Sequence, residues 1–172
     1  MVDIALCDLL PLVAAVLASA SVPAAASRAE EVPSTWDFLE RTAMANMFEI
    51  ESSRLALSRT RADEIKVYAD RMIVERIRAA TAFTEAAADA GLAAPDYHLD
   101  FRRQDLLEAM KGEADGAAFD GAYIRAQVAS QADTVALFEA YARQGENARI
   151  RRFAREFLPV LRNHLELASR LG

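Results

Sequence analysis

Four kinds of residue are scarce in this chain of 172 residues, and each scarcity excludes a class of protein or site. The single cysteine, Cys7, excludes an internal disulfide framework and a CxxC metal or redox motif. Lysine occurs only at Lys66 and Lys111, and the net charge of −6 leaves no basic surface for nucleic acid at the level of the whole chain. The six glycines form no glycine-rich phosphate loop. The two histidines, His98 and His164, are too few for a dimetal site of the Glu-x-x-His type, and no Glu-x-x-His occurs.

Apolar residues make up 53% of the chain and recur at the three-to-four-residue spacing of amphipathic helices. No segment shows the strict alternation of a strand, so we predict an all-α domain with one core. Ser34 followed by Asp37 is typical of a helix start, and Gly91 is typical of a helix end. The spacing predicts four long helices at about 35–59, 62–90, 119–143 and 147–171, and a short helix at about 103–111.

The lengths of the links between these helices predict how the helices are arranged. The first and second long helices are joined by a short link, and so are the third and fourth. The segment between the second and third is long and contains Pro95, Gly112 and Gly116. One long crossover between two helix pairs is the ferritin-like arrangement. We therefore predict a ferritin-like four-helix bundle over residues 35–172.

The first 26 residues have the composition of a signal peptide, and residues 27–34 read as a polar linker. A short apolar run at 9–20 is followed by small residues, and A-x-A cleavage patterns end at Ala20 and at Ala26. The positive charge usual at the start is missing, since Asp3 and Asp8 are the only charges there. We predict export to the periplasm or the outer membrane. The alternative is a loosely packed N-terminal helix.

Each predicted long helix places a polar side chain near the middle of its apolar stripe. We predict that five of these side chains form a buried polar layer, namely Glu51, Glu75, Arg76, Gln131 and His164. Carboxylates and imidazoles in the core of a bundle can bind iron, manganese or zinc. The candidate metal ligands are Glu49, Glu51, Glu75 and His164. We predict no catalytic residue and no other cofactor. Three tyrosine hydroxyls are expected to cap the layer, those of Tyr68, Tyr123 and Tyr141.

Arg76 lies on the inward stripe of the second helix, where a charged side chain is unexpected. In one alternative its guanidinium is buried and makes bidentate bonds to Glu51 or Glu49, replacing the positive charge of a metal ion. In the other, the helix is rotated by some tens of degrees and the side chain extends past Phe83, so that its charged end stays in water. The sequence leaves both open.

Five stretches resemble, in order and spacing, a bacterial family of exported ferritin-like proteins labelled domain of unknown function 4142. They are FLERTAMANMFEIESSRLAL, VYADRMIVERIRA, FDGAYIRAQVASQ, VALFEAYARQG and LPVLRNHLELA. Together they extend over the chain from Phe38 to Ala168. The resemblance implies a ferritin-like fold and export. It implies no activity, because the family has no settled one.

The resemblance also implies that any metal site is degenerate. The family usually carries an Asp-His pair in the second stretch and a histidine in the third, where this chain has Glu75-Arg76 and Gln131. His164 and the carboxylate of Glu51 match the family. Two of the three imidazoles are thus replaced by side chains that are poor metal ligands.

We therefore expect a non-catalytic structural or interaction module of the cell envelope, linked to envelope stress. Its expected partner is an envelope protein or a second copy of the chain. The alternative, from a different class, is a metal-binding oxidoreductase or a metal-storage protein. Contact with an anionic membrane surface is a further alternative to a solvated helix face. It would use the arginines of the last helix, Arg149, Arg151, Arg152, Arg155, Arg162 and Arg170.

Overall fold

The computed structural model describes residues 32–172, which form five helices and no strand. The helices are α1 (Thr35–Arg59), α2 (Asp63–Asp89), α3 (Phe101–Gly112), α4 (Ala117–Gln144) and α5 (Ala148–Ser169). The predicted all-α bundle is confirmed, and each predicted helix is found. The ferritin-like assignment within that class stays a prediction. The predicted signal peptide, Cys7 and the first part of the linker lie outside the described residues.

The helix ends are determined by capping residues that can be recognised in the sequence. Ser34 Oγ accepts a hydrogen bond from the Asp37 amide at 3.1 Å and so caps α1. Asn147 Oδ1 caps α5 by accepting from the Ile150 amide at 3.2 Å. Beyond the end of α2, Gly91 has φ +73°, a conformation that glycine adopts without steric cost.

The four long helices pack into a bundle with two hydrophobic clusters, one towards each end. α1 packs against α2 and α4, α5 packs against the same two helices, and α3 lies against α1 and α4. The first cluster contains Phe38, Phe83, Phe138 and Phe153, and the second contains Phe48, Met72, Phe119 and Ala168. α1 and α5 therefore run from the first cluster to the second, whereas α2 and α4 run the other way. Because α2 and α4 are parallel, the chain returns along the bundle through residues 90–116, the predicted long crossover.

Between the two clusters, every long helix buries polar side chains. These side chains form the buried polar layer, and the principal ones are Glu49, Ser52, Arg76, Gln127, Gln131 and His164. Polar groups removed from water in this way need partners inside the protein. No helix within residues 32–172 is both long enough and apolar enough to cross a membrane.

Candidate functional site

Arg76 is buried at the centre of the bundle, with 3% of its surface exposed. Its Nη2 donates a hydrogen bond to Gln131 Oε1 at 2.7 Å. The alternative in which the charged end of Arg76 stays in water is therefore wrong. The burial follows from helical spacing, since Tyr68, Met72, Arg76 and Ala79 recur every three or four residues and all lie on the buried face of α2.

Gln131 joins Arg76 to Glu49. Its Oε1 accepts from the guanidinium, and its Nε2 donates to Glu49 Oε2 at 3.2 Å. The predicted bidentate contact of Arg76 with Glu51 or Glu49 is wrong, because an amide separates the guanidinium from the Glu49 carboxylate. We call Arg76, Gln131 and Glu49 the charged relay. It links α2, α4 and α1 through side chains alone.

The charged relay is incompletely hydrogen-bonded and electrostatically unusual. Glu49 is fully buried, and burial raises the pKa of its carboxyl group, while the positive charge of Arg76 acts against that rise. Glu49 Oε1 and Arg76 Nε have no hydrogen-bond partner among the described residues. The ionisation of Glu49 therefore depends on the cation that Arg76 supplies.

A second relay lies beside the first and carries no charge. The Tyr68 hydroxyl donates to Gln127 Oε1 at 3.1 Å, and Gln127 Nε2 donates to Ser52 Oγ at 2.9 Å. Ser52 in turn donates to the Phe48 carbonyl at 2.6 Å. We call Tyr68, Gln127 and Ser52 the neutral relay. Because Gln127 and Gln131 are four residues apart, the two relays lie one turn apart on the same face of α4.

The other two tyrosines expected to cap the layer differ from each other. Tyr123 lies near the neutral relay, and its hydroxyl is 3.0 Å from Ser53 Oγ. Tyr141 belongs to the first hydrophobic cluster and bonds to Thr35 Oγ1 at 2.7 Å, so its predicted place in the layer is wrong. Burial raises the pKa of Tyr123, which keeps its hydroxyl protonated.

His164 and Glu75 meet at the edge of the layer, where α2 and α5 pack together. His164 Nε2 contacts Glu75 Oε2, and Glu75 Oε1 accepts from Arg71 at 2.8 Å. Burial and the charge of Arg76 lower the pKa of His164 to about 4. Partial burial acts to raise the pKa of Glu75, but the bonds from His164 and Arg71 outweigh it and lower this pKa. At neutral pH a neutral imidazole therefore donates its Nε2–H to an ionised carboxylate.

Glu51 does not belong to the layer, and its prediction as a buried residue is wrong. One third of its side chain is exposed, and it accepts from Arg54 Nη1 at 2.7 Å. Glu49 points inward instead, on the same side of α1 as Ser52 and Ser53. Two residues correspond to about 200° around a helix, so Glu49 and Glu51 necessarily face opposite ways.

The candidate metal ligands are not brought together. Glu49 and His164 are in the layer, Glu75 is at its edge, and Glu51 is outside it. Across residues 32–172, no group of three or more His, Cys, Asp or Glu side chains could hold a metal ion. The Arg76 guanidinium already supplies the positive charge that Glu49 attracts, and it would repel a divalent cation placed beside it. As they are arranged in residues 32–172, these side chains do not form a site for a divalent metal.

Two residues of the neutral relay were missing from the predicted layer, Gln127 and Ser52. A signal for them exists in the sequence. Gln127 precedes Gln131 by one helical turn, so any orientation of α4 that buries Gln131 also buries Gln127. Ser52 follows Glu49 by three residues and shares its face of α1.

The fold and the layer define a class, an all-helical bundle with a polar interior. The chain belongs to the family described as Domain of unknown function (DUF4142), whose model matches residues 20–171. A solved structure, "CopM in the Cu(II)-bound form", is similar with a TM-score of 0.62 over 78% of this chain and 92% of that chain. The two sequences are 14% identical, so this likeness shows the fold alone. No curated protein matches the chain.

Proposed function

We propose that this chain is a non-catalytic helical-bundle module of the cell envelope, in which Arg76 supplies the cation that a metal ion supplies in metal-binding bundles. The observation that carries the proposal is the burial of the Arg76 guanidinium between the two hydrophobic clusters, bonded to Gln131 and through it to Glu49. An arginine remains charged at every physiological pH. The fold would therefore not depend on metal supply. The location rests on the predicted signal peptide at residues 1–26.

The polar layer suits a structural role because it ties all four long helices together. The two relays join α1, α2 and α4, and the contact between Glu75 and His164 adds α5. A slip of one helix along another would separate these partners and leave buried polar groups unpaired. The layer thus favours one register of the bundle, as an interaction module with a defined surface requires.

Metal analysis of the purified full chain tests the proposal directly. We expect no stoichiometric iron, manganese, zinc or copper after mild chelation, and no change in the melting temperature when any of these ions is added. A ligand that binds only the folded state must raise its stability, so an unchanged melting temperature reports an absence of binding. The assay uses a Cys7→Ser background to remove the thiol as a ligand. Stoichiometric metal retained after chelation would overturn the proposal.

A matched pair of variants gives this test a positive control. Replacing Arg76 and Gln131 together by histidine removes the cation and places two imidazoles beside Glu49. We expect the double variant to bind zinc or copper and to melt at a higher temperature with the ion than without it. Gln127→His adds one imidazole to the neutral relay and keeps Arg76, so we expect no such gain. Equal metal responses in the two variants would mean that Arg76 does not determine metal binding.

A metal-binding role, as an oxidoreductase or a storage protein, is the second candidate. Two buried ligand atoms without partners favour it, Glu49 Oε1 and His164 Nδ1. The similar structure of CopM is a Cu(II)-bound form, which makes copper the first ion to test. Under this alternative the wild-type chain would retain metal, and Glu49→Gln and His164→Gln would each release it.

A further inference from the structure

One face of α2 exposes apolar side chains where a helix of a soluble bundle usually presents polar ones. Val67 is 70% exposed, Val74 is 42% exposed and Ile77 is 50% exposed. These residues are seven and three positions apart, so they form one stripe along the helix. Val160 of α5 is exposed as well. Exposed apolar side chains aligned on one face in this way mark an interaction surface more often than scattered exposed residues do.

A groove of about 600 Å³ runs beside the stripe, between α2 and α5. Its apolar lining comes from Ala79, Phe157, Pro159 and Val160. Arg71 and Arg78 of α2 also line it. The stripe and the groove together form one surface, which we call the α2 face. It lies outside the buried polar layer and meets it only at Glu75.

One acid and one base of the α2 face lie symmetrically about Val74. Lys66 pairs with Asp63 at 3.1 Å and Arg71 pairs with Glu75 at 2.8 Å. Asp70 and Arg78 are exposed, and neither takes part in an ion pair with another residue between 32 and 172. Asp70 precedes Val74 by four residues, and Arg78 follows it by four. The unpaired acid and the unpaired base are thus equidistant from the central apolar residue.

We infer that the α2 face binds a second copy of this chain, with the two α2 helices antiparallel and a two-fold axis passing through Val74. In that arrangement Val74 packs against Val74 of the other copy. Asp70 of each copy faces Arg78 of the other. The same ion pair therefore forms twice, once at each end of the contact, as an isologous interface requires. The aliphatic part of Arg71 covers Ile77 of the other copy. This inference rests on the proposed role as an interaction module and names its partner.

The dimer is expected to be weak. A contact centred on one helix face is small beside the roughly 1,200–2,000 Å² that stable interfaces bury. Sedimentation velocity and light scattering of the full chain, from micromolar to millimolar concentration, should show a concentration-dependent monomer–dimer equilibrium. A chain that stays monomeric over this whole range would overturn the inference, and so would binding of anionic lipid vesicles by a monomer through Arg71 and Arg78.

Charge reversal tests the symmetry of the interface. Asp70→Arg brings two arginines together at each end of the contact, and Arg78→Asp brings two aspartates together, so each should weaken dimerisation by about tenfold or more. The double variant restores opposite charges and should recover dimerisation close to that of the wild type. Leu57→Glu is the control, since Leu57 is 38% exposed on α1, outside the α2 face. Double-variant dimers as weak as those of either single variant would overturn the inference.

A cysteine on the proposed axis provides a geometric test. In a Cys7→Ser background, Val74→Cys should form an intermolecular disulfide under mild oxidation, because a disulfide needs Cα atoms within about 7 Å of each other. Val67→Cys is the matched control. Its two copies would lie about 21 Å apart along antiparallel helices, so it should not cross-link. Equal cross-linking at both positions would overturn the two-fold arrangement. The metal assay reports on the buried polar layer and the oligomeric state reports on the α2 face, so failure of the dimer and failure of the proposed function are distinguishable.

Discussion

The charged relay and the neutral relay lie one turn apart on α4 and connect the same three helices. In both, a glutamine of α4 accepts from a side chain of α2 and donates to a side chain of α1. The donor is a tyrosine in one case and an arginine in the other. The final acceptor is a serine in one case and a glutamate in the other.

The two relays have similar geometry, but they differ in how many of their polar atoms have hydrogen-bond partners. Among the described residues, each polar side-chain atom of the neutral relay has a hydrogen-bond partner, and the Ser52 hydroxyl completes the relay by donating to the Phe48 carbonyl. The charged relay leaves Arg76 Nε and Glu49 Oε1 without partners. A guanidinium has five N–H donors and a carboxylate about four acceptor sites, more than one bridging amide can satisfy. The charged relay therefore relies on electrostatic attraction in addition to its two hydrogen bonds, whereas the neutral relay relies on hydrogen bonds alone.

The largest expected effect comes from removing the cation of the charged relay. Arg76→Ala leaves the Glu49 carboxylate in a low-dielectric interior without a positive charge, and breaking a buried pair on one side costs about 3–5 kcal/mol. Glu49→Gln in the same background should recover part of this loss, because the unpaired charge is removed. Urea unfolding of the three proteins measures both effects.

The control for this experiment is Arg54→Ala. Arg54 pairs with Glu51 at the surface, where such a pair contributes about 0–1 kcal/mol. A double-mutant cycle on Arg76 and Glu49 should give a coupling energy well above the roughly 0.5 kcal/mol expected of independent sites. The same cycle on Arg76 and Glu51 should stay below that value. Equal coupling energies in the two cycles would contradict the connection of Arg76 to Glu49 through Gln131.

Most of the fold could be predicted from the sequence because helix positions depend on local chemistry. The spacing of apolar residues, the cap at Ser34 and the glycine after α2 act within a few residues of chain. They placed each helix within two residues of its observed bounds. The long crossover followed from counting the residues between helices.

The candidate site was only partly predictable because it depends on the rotation of each helix, which tertiary packing decides. Glu49 and Glu51 are both polar residues within an apolar pattern, and the sequence did not show which of them faces inward. The bridging of Arg76 to Glu49 by Gln131 involves residues 82 and 55 positions apart along the chain. A local sequence pattern does not predict a contact between residues so far apart along the chain.

Acid should weaken the layer through His164, which lies beside the charged relay. Its pKa is 6.5 in the unfolded chain and about 4 in the folded one. Below pH 6.5 the unfolded chain binds a proton that the folded protein does not, so stability is full above pH 6.5 and is lost as the pH falls towards 4. The loss at the end of that interval corresponds to about 3 kcal/mol.

Comparison with His164→Gln isolates this effect. The stability of the variant should depend less on pH between 6.5 and 4 than that of the wild type, as measured by urea unfolding at several pH values. The raised pKa of Glu49 acts with the opposite sign, since it removes stability as the pH rises above 4.5, but it is present in both proteins. His98→Gln is the control, because His98 is exposed on the crossover. A wild type and a His164→Gln variant with parallel pH profiles would contradict the buried neutral imidazole.

The smallest expected difference compares the two glutamines themselves. Gln131→Leu deprives two charged groups of a partner, and hydrogen bonds to charged groups contribute about 1.5–3 kcal/mol, against about 0.5–1.5 kcal/mol for the neutral bonds that Gln127→Leu removes. Gln131→Leu should therefore destabilise the bundle more, by about 1–2 kcal/mol in urea unfolding. Adding Arg76→Met and Glu49→Gln should recover stability in the Gln131→Leu protein, because it removes the charges that the amide had bridged. The same two substitutions in the Gln127→Leu protein do not compensate for the lost hydrogen bonds of Tyr68 and Ser52, so they should give no such recovery. If Gln127→Leu proves the more costly change, the neutral hydrogen bonds hold these helices together and the buried charge contributes less than the neutral relay beside it.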